Sequence, residues 1–252
     1  TGFVVFNRTL LFDVPFTCFL TWSLAILGLW LLNDRSRKSP AGVGFWIFLG
    51  LAVLSKGVMA LALAGLVGLI SILFLRVPIR EAARIFSPLG VAAFFIITLP
   101  WHVLMMMREP LFSWWYFINE TVMRFFDQRY PRDYYHGPIY YYLERIPFYL
   151  WIWTAFLPLL LFRRRQPDRS RTYLWTWFLA LLVFFSVSLA KANYYMITGI
   201  PALAMLLAFS LDDLLEKSSR RPFVVTASVM VWLNATIIVT AIVLTMKNQQ
   251  VR

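Results

Sequence analysis

The chain has 252 residues, of which 60% are hydrophobic and 18% aromatic, and it carries a net charge of +12. Its mean hydropathy is +0.69, more apolar surface than an ordinary soluble domain can bury. In a soluble protein such a charge would suggest nucleic acid. Here the basic residues sit in short segments between apolar runs, so the fitting anion is a lipid headgroup or a phosphorylated lipid. The single cysteine, Cys18, lies inside an apolar run, which excludes an intrachain disulfide and a cysteine metal cluster.

A membrane span needs about 20 apolar residues. Candidate spans fall at about 11–32, 43–54, 58–75, 87–106, 145–162, 173–190, 195–212 and 223–246. These predict an all-α integral membrane bundle of about eight helices, since only helices or closed barrels satisfy the backbone in lipid. Ser55-Lys56-Gly57 divides the run 41–75 into a tight hairpin. Lys191-Ala192-Asn193 divides the run 184–212 in the same way.

Four basic segments separate pairs of spans: Asp34-Arg35-Ser36-Arg37-Lys38, Arg76 to Arg80, Arg163-Arg164-Arg165 with Arg169 and Arg171, and Lys217 with Arg220-Arg221. This is a positive-inside pattern. It places residues 1–10, 55–57, 107–144, 191–194 and 247–252 on the outer side. The longest outer segment, 107–144, is rich in Trp and Tyr and is expected to lie partly in the interface.

Charges left on the outer side are the functional candidates, because ionisable groups at membrane depth are costly and mark sites. The basic ones are Lys56, Arg124, Arg129, Arg132, Arg145 and Lys191; the acidic ones are Asp13, Glu120, Asp127, Asp133 and Glu144. Singly, each can snorkel or pair with a neighbour, as Glu120 and Arg124 can at helical spacing. Together with His136 they predict a polar cavity on the outer face. Lys56 and Lys191, at two hairpin tips, are expected to come together as point charges on one phosphate. Arg124 would add a planar fork, and Tyr194 and Tyr195 hydroxyl donors. His102 reads as packed within its span. Asp13 is expected either to pair with Arg8 or to face the cavity. No phosphate-binding glycine loop, Walker motif or nucleophile elbow is present.

Arg8-Thr9-Leu10-Leu11-Phe12-Asp13, Leu54-Ser55-Lys56-Gly57, Leu99-Pro100-Trp101, Glu120 with Arg124-Phe125, His136-Gly137-Pro138-Ile139-Tyr140-Tyr141-Tyr142, Ala190-Lys191-Ala192-Asn193-Tyr194-Tyr195 and Pro201-Ala202-Leu203-Ala204 follow one another in order. The set resembles the bacterial aminoarabinose transferase and protein O-mannosyltransferase group, polytopic glycosyltransferases of the C-type fold. The resemblance runs over nearly the whole chain.

It implies one transmembrane transferase domain over 1–252 that takes a sugar from a polyprenyl-phosphate donor at the outer face of the bacterial inner membrane. The acceptor would be lipid A, a protein or another glycan. Lys56, Arg124, Lys191 and Tyr195 would hold the donor phosphate. Asp13 and His136 would orient these groups, or touch a divalent metal if one binds, with Glu120 and His136 as its candidate ligands. The family's catalytic aspartate lies in a first outer loop, so the chain is expected to be an internal part of a longer protein. Thr121 stands where the family often has histidine, and Asn193 where it often has proline; these departures bear on acceptor and metal.

Two other classes compete. A transporter or flippase would place ionisable groups near the midplane on broken helices, whereas these spans are nearly free of charge between their ends. A structural subunit would show scattered, self-paired outer charges and no cavity. Cysteine-accessibility labelling tests the topology: Ser36 and Ser170 should label from the cytoplasm and Ser113 from outside, and outside labelling of Ser170 would overturn it.

Overall fold

The computed structural model describes residues 12–33, 41–131, 135–161 and 168–216, together with 224–225, 228–229, 232 and 235–236. The expected last span, 223–246, and the basic segments 34–38, 163–165 and 217–221 therefore lie largely or wholly outside the described residues.

The chain folds as a bundle of apolar helices. α1 (Asp13–Leu32) and α2 (Ala41–Lys56) pack along each other, and α3 (Met59–Leu75) returns from the Lys56 turn. A short α4 (Ile79–Ala82) leads to α5 (Pro88–Arg108), which lies on α2. A π-helix (Trp114–Met123) then precedes α6 (Tyr141–Leu150) and a 3₁₀ stretch (Trp151–Leu161). α7 (Arg169–Val187) packs on α3, and α8 (Ile200–Glu216) packs on α7. Three of these helices, α1, α5 and α7, are long and apolar enough to cross a membrane. Trp22, Leu29, Leu69, Leu73, Phe74 and Ile96 stand exposed on the outside of the bundle. In water they would be a liability, but a bilayer solvates them.

Local chemistry places the ends. Ser87 caps α5 by accepting from the Gly90 amide at 3.1 Å, with Pro88 in the first turn. Asp168 caps α7 by accepting from the Ser170 amide at 2.9 Å. Trp46 donates its indole N–H to the Ile85 carbonyl at 2.7 Å and ties the α4 segment to α2. At this same end of α7, Arg171 pairs with Asp213 of α8 at 2.6 Å.

Both expected hairpins are present, at Lys56 and at Lys191. The expected continuous span 145–162 is not one α-helix. It breaks at Trp151, whose φ is +48°, and continues as a 3₁₀ stretch. Pro147 and Pro158 lie inside this segment, and each lacks an amide hydrogen for the α-ladder. The only strands among the described residues are two residues long: β1 (Tyr135–His136) pairs antiparallel with β2 (Ala190–Lys191) and links the outer segment to the second hairpin.

The α1–α7 contact depends on Gly28. A Cβ there would stand 2.5 Å from the Tyr173 ring, whose hydroxyl donates to the Leu24 carbonyl. Gly28→Val should lower stability by about 1–3 kcal/mol through overpacking. Gly65→Ala, with open space around its Cβ position, should not. Thermal unfolding in detergent reads the difference.

Candidate functional site

Where α1 starts, α2 ends and the second hairpin returns, the bundle forms a partly open cavity of about 580 Å³. Asp13, Lys56, Glu120, Arg124 and Tyr195 line it, with apolar walls from Phe12, Phe16 and Trp101 among others. Five residues separated by up to 182 positions thus converge on one volume (13 to 195).

Lys56 is the last residue of α2, and its ammonium pairs with the Asp13 carboxylate from the start of α1. Both groups are removed from most solvent, Asp13 being 5% exposed. A carboxylate and an ammonium at membrane depth are tolerable as a pair and costly apart. Three rings surround the ammonium, with the Phe16, Tyr194 and Tyr195 centroids 5.6, 4.9 and 4.8 Å away. Of the two roles open to Asp13 in the sequence, the structure shows it facing the cavity, with Lys56 as partner. Arg8 lies outside the described residues.

Arg124 follows the π-helix and reaches the cavity beside Glu120, 3.3 Å away at i, i+4 spacing. The Glu120 carboxylate also receives Arg129 at 2.6 Å. The buried Asn119 secures this region: its amide donates to the Tyr130 carbonyl at 2.8 Å and accepts from the Tyr130 amide at 2.9 Å.

Tyr195 stands opposite, and its buried hydroxyl has no hydrogen-bond partner among the described residues. A buried, unpaired donor is costly unless a ligand meets it.

Lys191, expected to share a phosphate with Lys56, does not line this cavity. Its ammonium donates to the carbonyls of Phe185, Ser186 and Ser188 at 3.0, 2.7 and 2.6 Å. An ammonium has three donors, so none is left for a ligand. His136 enters β1 through its backbone, while its side chain lies outside the described residues. With two guanidiniums on its carboxylate, Glu120 is poorly suited to a cation. Among the described residues no group of three or more His, Cys, Asp or Glu gathers.

Tyr116 was passed over in the sequence. It joins the π-helix to the Lys56 turn, where a Cβ on Gly57 would stand 3.2 Å from its hydroxyl. His102 is packed, as expected, with Nδ1 2.7 Å from the Thr98 carbonyl. That nitrogen must therefore donate, and Nε2 lies 3.1 Å from the Tyr116 hydroxyl, which is also within 3.5 Å of the Val53 carbonyl. The glycine in Ser55-Lys56-Gly57 was the available signal for a close approach, and its φ of +97° bears that out.

No protein-family model matches the chain. The crystal structure of ArnT from Cupriavidus metallidurans bound to undecaprenyl phosphate superposes with a TM-score of 0.74 and 27% identity, over 89% of this chain and 40% of that one. The chain resembles the aminoarabinose transferases in sequence and fold alike. The undecaprenyl phosphate-alpha-4-amino-4-deoxy-L-arabinose arabinosyl transferase of Aeromonas salmonicida is 29% identical over 217 residues, 83% of this chain and 38% of that protein. Its namesake from Yersinia enterocolitica is 29% identical over 147 residues, 56% of this chain and 26% of that protein. The chain therefore spans well under half the length of these relatives. The fold is that of a polytopic C-type glycosyltransferase, as the sequence motifs imply.

Gly57→Ala should destabilise the turn by about 1–2 kcal/mol through its left-handed backbone, with a further loss from Tyr116. In a Tyr116→Phe background the hydroxyl part of the clash should vanish and the backbone part persist. Denaturation of both variants and the double variant separates the two.

Proposed function

We propose that this chain is the membrane-embedded part of a glycosyltransferase. It moves a sugar from a polyprenyl-phosphate donor to a lipid, protein or glycan acceptor at the outer face of the bacterial inner membrane. The observation that carries this reading is the convergence of Lys56, Arg124 and the partnerless Tyr195 hydroxyl on one cavity. The likeness to an undecaprenyl phosphate-bound structure supports a lipid phosphate as the occupant.

The chemistry follows from charge. The acceptor hydroxyl attacks the anomeric carbon and gives its proton to a general base, the bond from that carbon to the phosphate oxygen breaks, and negative charge develops on the departing lipid phosphate. Preorganised donors in a water-poor site stabilise such charge most effectively. Lys56 supplies a point charge, Arg124 a planar fork and Tyr195 an O–H donor. Asp13 holds Lys56 in place before the donor arrives and limits the cost of an unpaired ammonium. When the phosphate enters, Lys56 is shared between the two anions. The aromatic walls shield the reaction from water, which strengthens each of these interactions.

Lys56→Ala and Arg124→Ala should each lower transfer on the order of 10²-fold, as loss of one such donor does elsewhere. Neither substitution removes apolar surface from a span, so membrane insertion should survive, with a loss of stability in Lys56→Ala from the stranded Asp13 carboxylate. The assay is transfer from a polyprenyl-phosphate sugar by membranes carrying the complete protein. Near-normal turnover in both variants would leave these charges as headgroup contacts and overturn the assignment.

A further inference from the structure

Lys191 is a buried cation that the donor cavity leaves unused. The residue is 2% exposed. Its three carbonyl partners belong to the end of α7 and the residue just beyond it. A helix leaves its last carbonyls without backbone partners, and here one ammonium satisfies several at once. The Tyr142 ring lies 5.5 Å from the same ammonium.

The segment held this way, residues 188–195, connects to both halves of the site. The Leu189 amide donates to the carbonyl of Phe125, next to Arg124, at 3.1 Å. The Tyr142 hydroxyl donates to the Ala192 carbonyl at 3.2 Å and accepts from the Ala192 amide at 3.3 Å. The Tyr195 amide donates to that same Ala192 carbonyl at 3.2 Å. Two residues of this segment, Tyr194 and Tyr195, form the wall over Lys56. Movement of the segment would therefore displace the Tyr195 hydroxyl, the aromatic wall and the backbone beside Arg124 together.

We propose that Lys191 is a positioning residue: its caged ammonium holds the 188–195 segment in the register that brings the Tyr195 hydroxyl and the aromatic wall onto a lipid phosphate bound at Lys56. The inference rests on the lipid-phosphate reading of the cavity. It assigns Lys191 an action through Tyr195, not on the phosphate. An apolar side chain of equal length would leave three carbonyls unsatisfied and loosen the segment. An arginine would keep a donor-rich cation.

The experiment measures the affinity of the complete protein, purified in detergent, for undecaprenyl phosphate, alongside its thermal stability. Lys191→Met should weaken binding roughly tenfold, and Lys191→Arg should recover part of it. In combination with Tyr195→Phe, the loss from Lys191→Met should be smaller than the sum of the two single losses, because part of its effect runs through the Tyr195 hydroxyl. Fully additive losses would mean that Lys191 acts independently of Tyr195 and would overturn the proposal. A fall in stability with unchanged affinity would reduce Lys191 to a structural prop and also overturn it. If Lys191→Met does not fold, Tyr142→Phe removes only the hydroxyl that anchors the segment, and the same non-additivity with Tyr195→Phe is required. Lys56→Ala is measured in parallel: normal affinity in that variant would defeat the phosphate site itself, whatever Lys191 does.

Discussion

The ion pair between Asp13 and Lys56 sets the terms for the rest of the site. A lone carboxylate or ammonium at this depth would be expensive, and removing one partner strands the other. The pair requires α1 to begin where α2 ends, so the two helices run side by side with their polar termini together. It also requires a sharp return after Lys56, which Gly57 provides with its positive φ. The tyrosines of the second hairpin cover the ammonium and complete the enclosure.

Irregular backbone concentrates around this pair. The π-helix, the left-handed Gly57, the 3₁₀ turn at Tyr195–Thr198 and the two-residue β1–β2 pairing all gather at the cavity end of the bundle. Non-helical backbone at membrane depth is tolerated only where protein groups or a cavity satisfy it. Asn119 does so for Tyr130, Tyr142 for Ala192, and Lys191 for the end of α7. The polar side chains at this end divide into those that satisfy the backbone and those that face the cavity. The shape of the cavity depends on both, because the two groups share the same short segments of backbone.

Much of the bundle was legible in the sequence. Apolar runs of span length and the two lysine-bearing breaks mark helices that the structure shows within a few residues. The stretch 145–162 was less legible, because its composition is that of a span while Pro147 and Pro158 interrupt its hydrogen bonding. At the site, Lys56, Arg124, Asp13 and Tyr195 were identifiable as outer charges and hydroxyls near span ends, and they do share one cavity. Tyr116 was not identifiable, since one aromatic in Trp114-Trp115-Tyr116-Phe117 looks like any other until the π-helix turns it toward Gly57.

Lys56 and Lys191 mark where sequence reasoning stops. Each sits at a hairpin tip beside small residues, and each reads as a phosphate ligand. By itself the sequence determined that this is an apolar helical bundle and which few cations stand apart from the short basic segments. These follow from local composition, because partition into lipid is settled segment by segment. Only the tertiary structure decided which cation meets the cavity. Lys56 ends its helix facing a carboxylate from α1 and keeps a face open to the cavity. Lys191 folds back onto the carbonyls of α7, where its three donors are saturated. The difference lies in where each ammonium finds its acceptors, a property of packing between distant segments that a local motif does not encode.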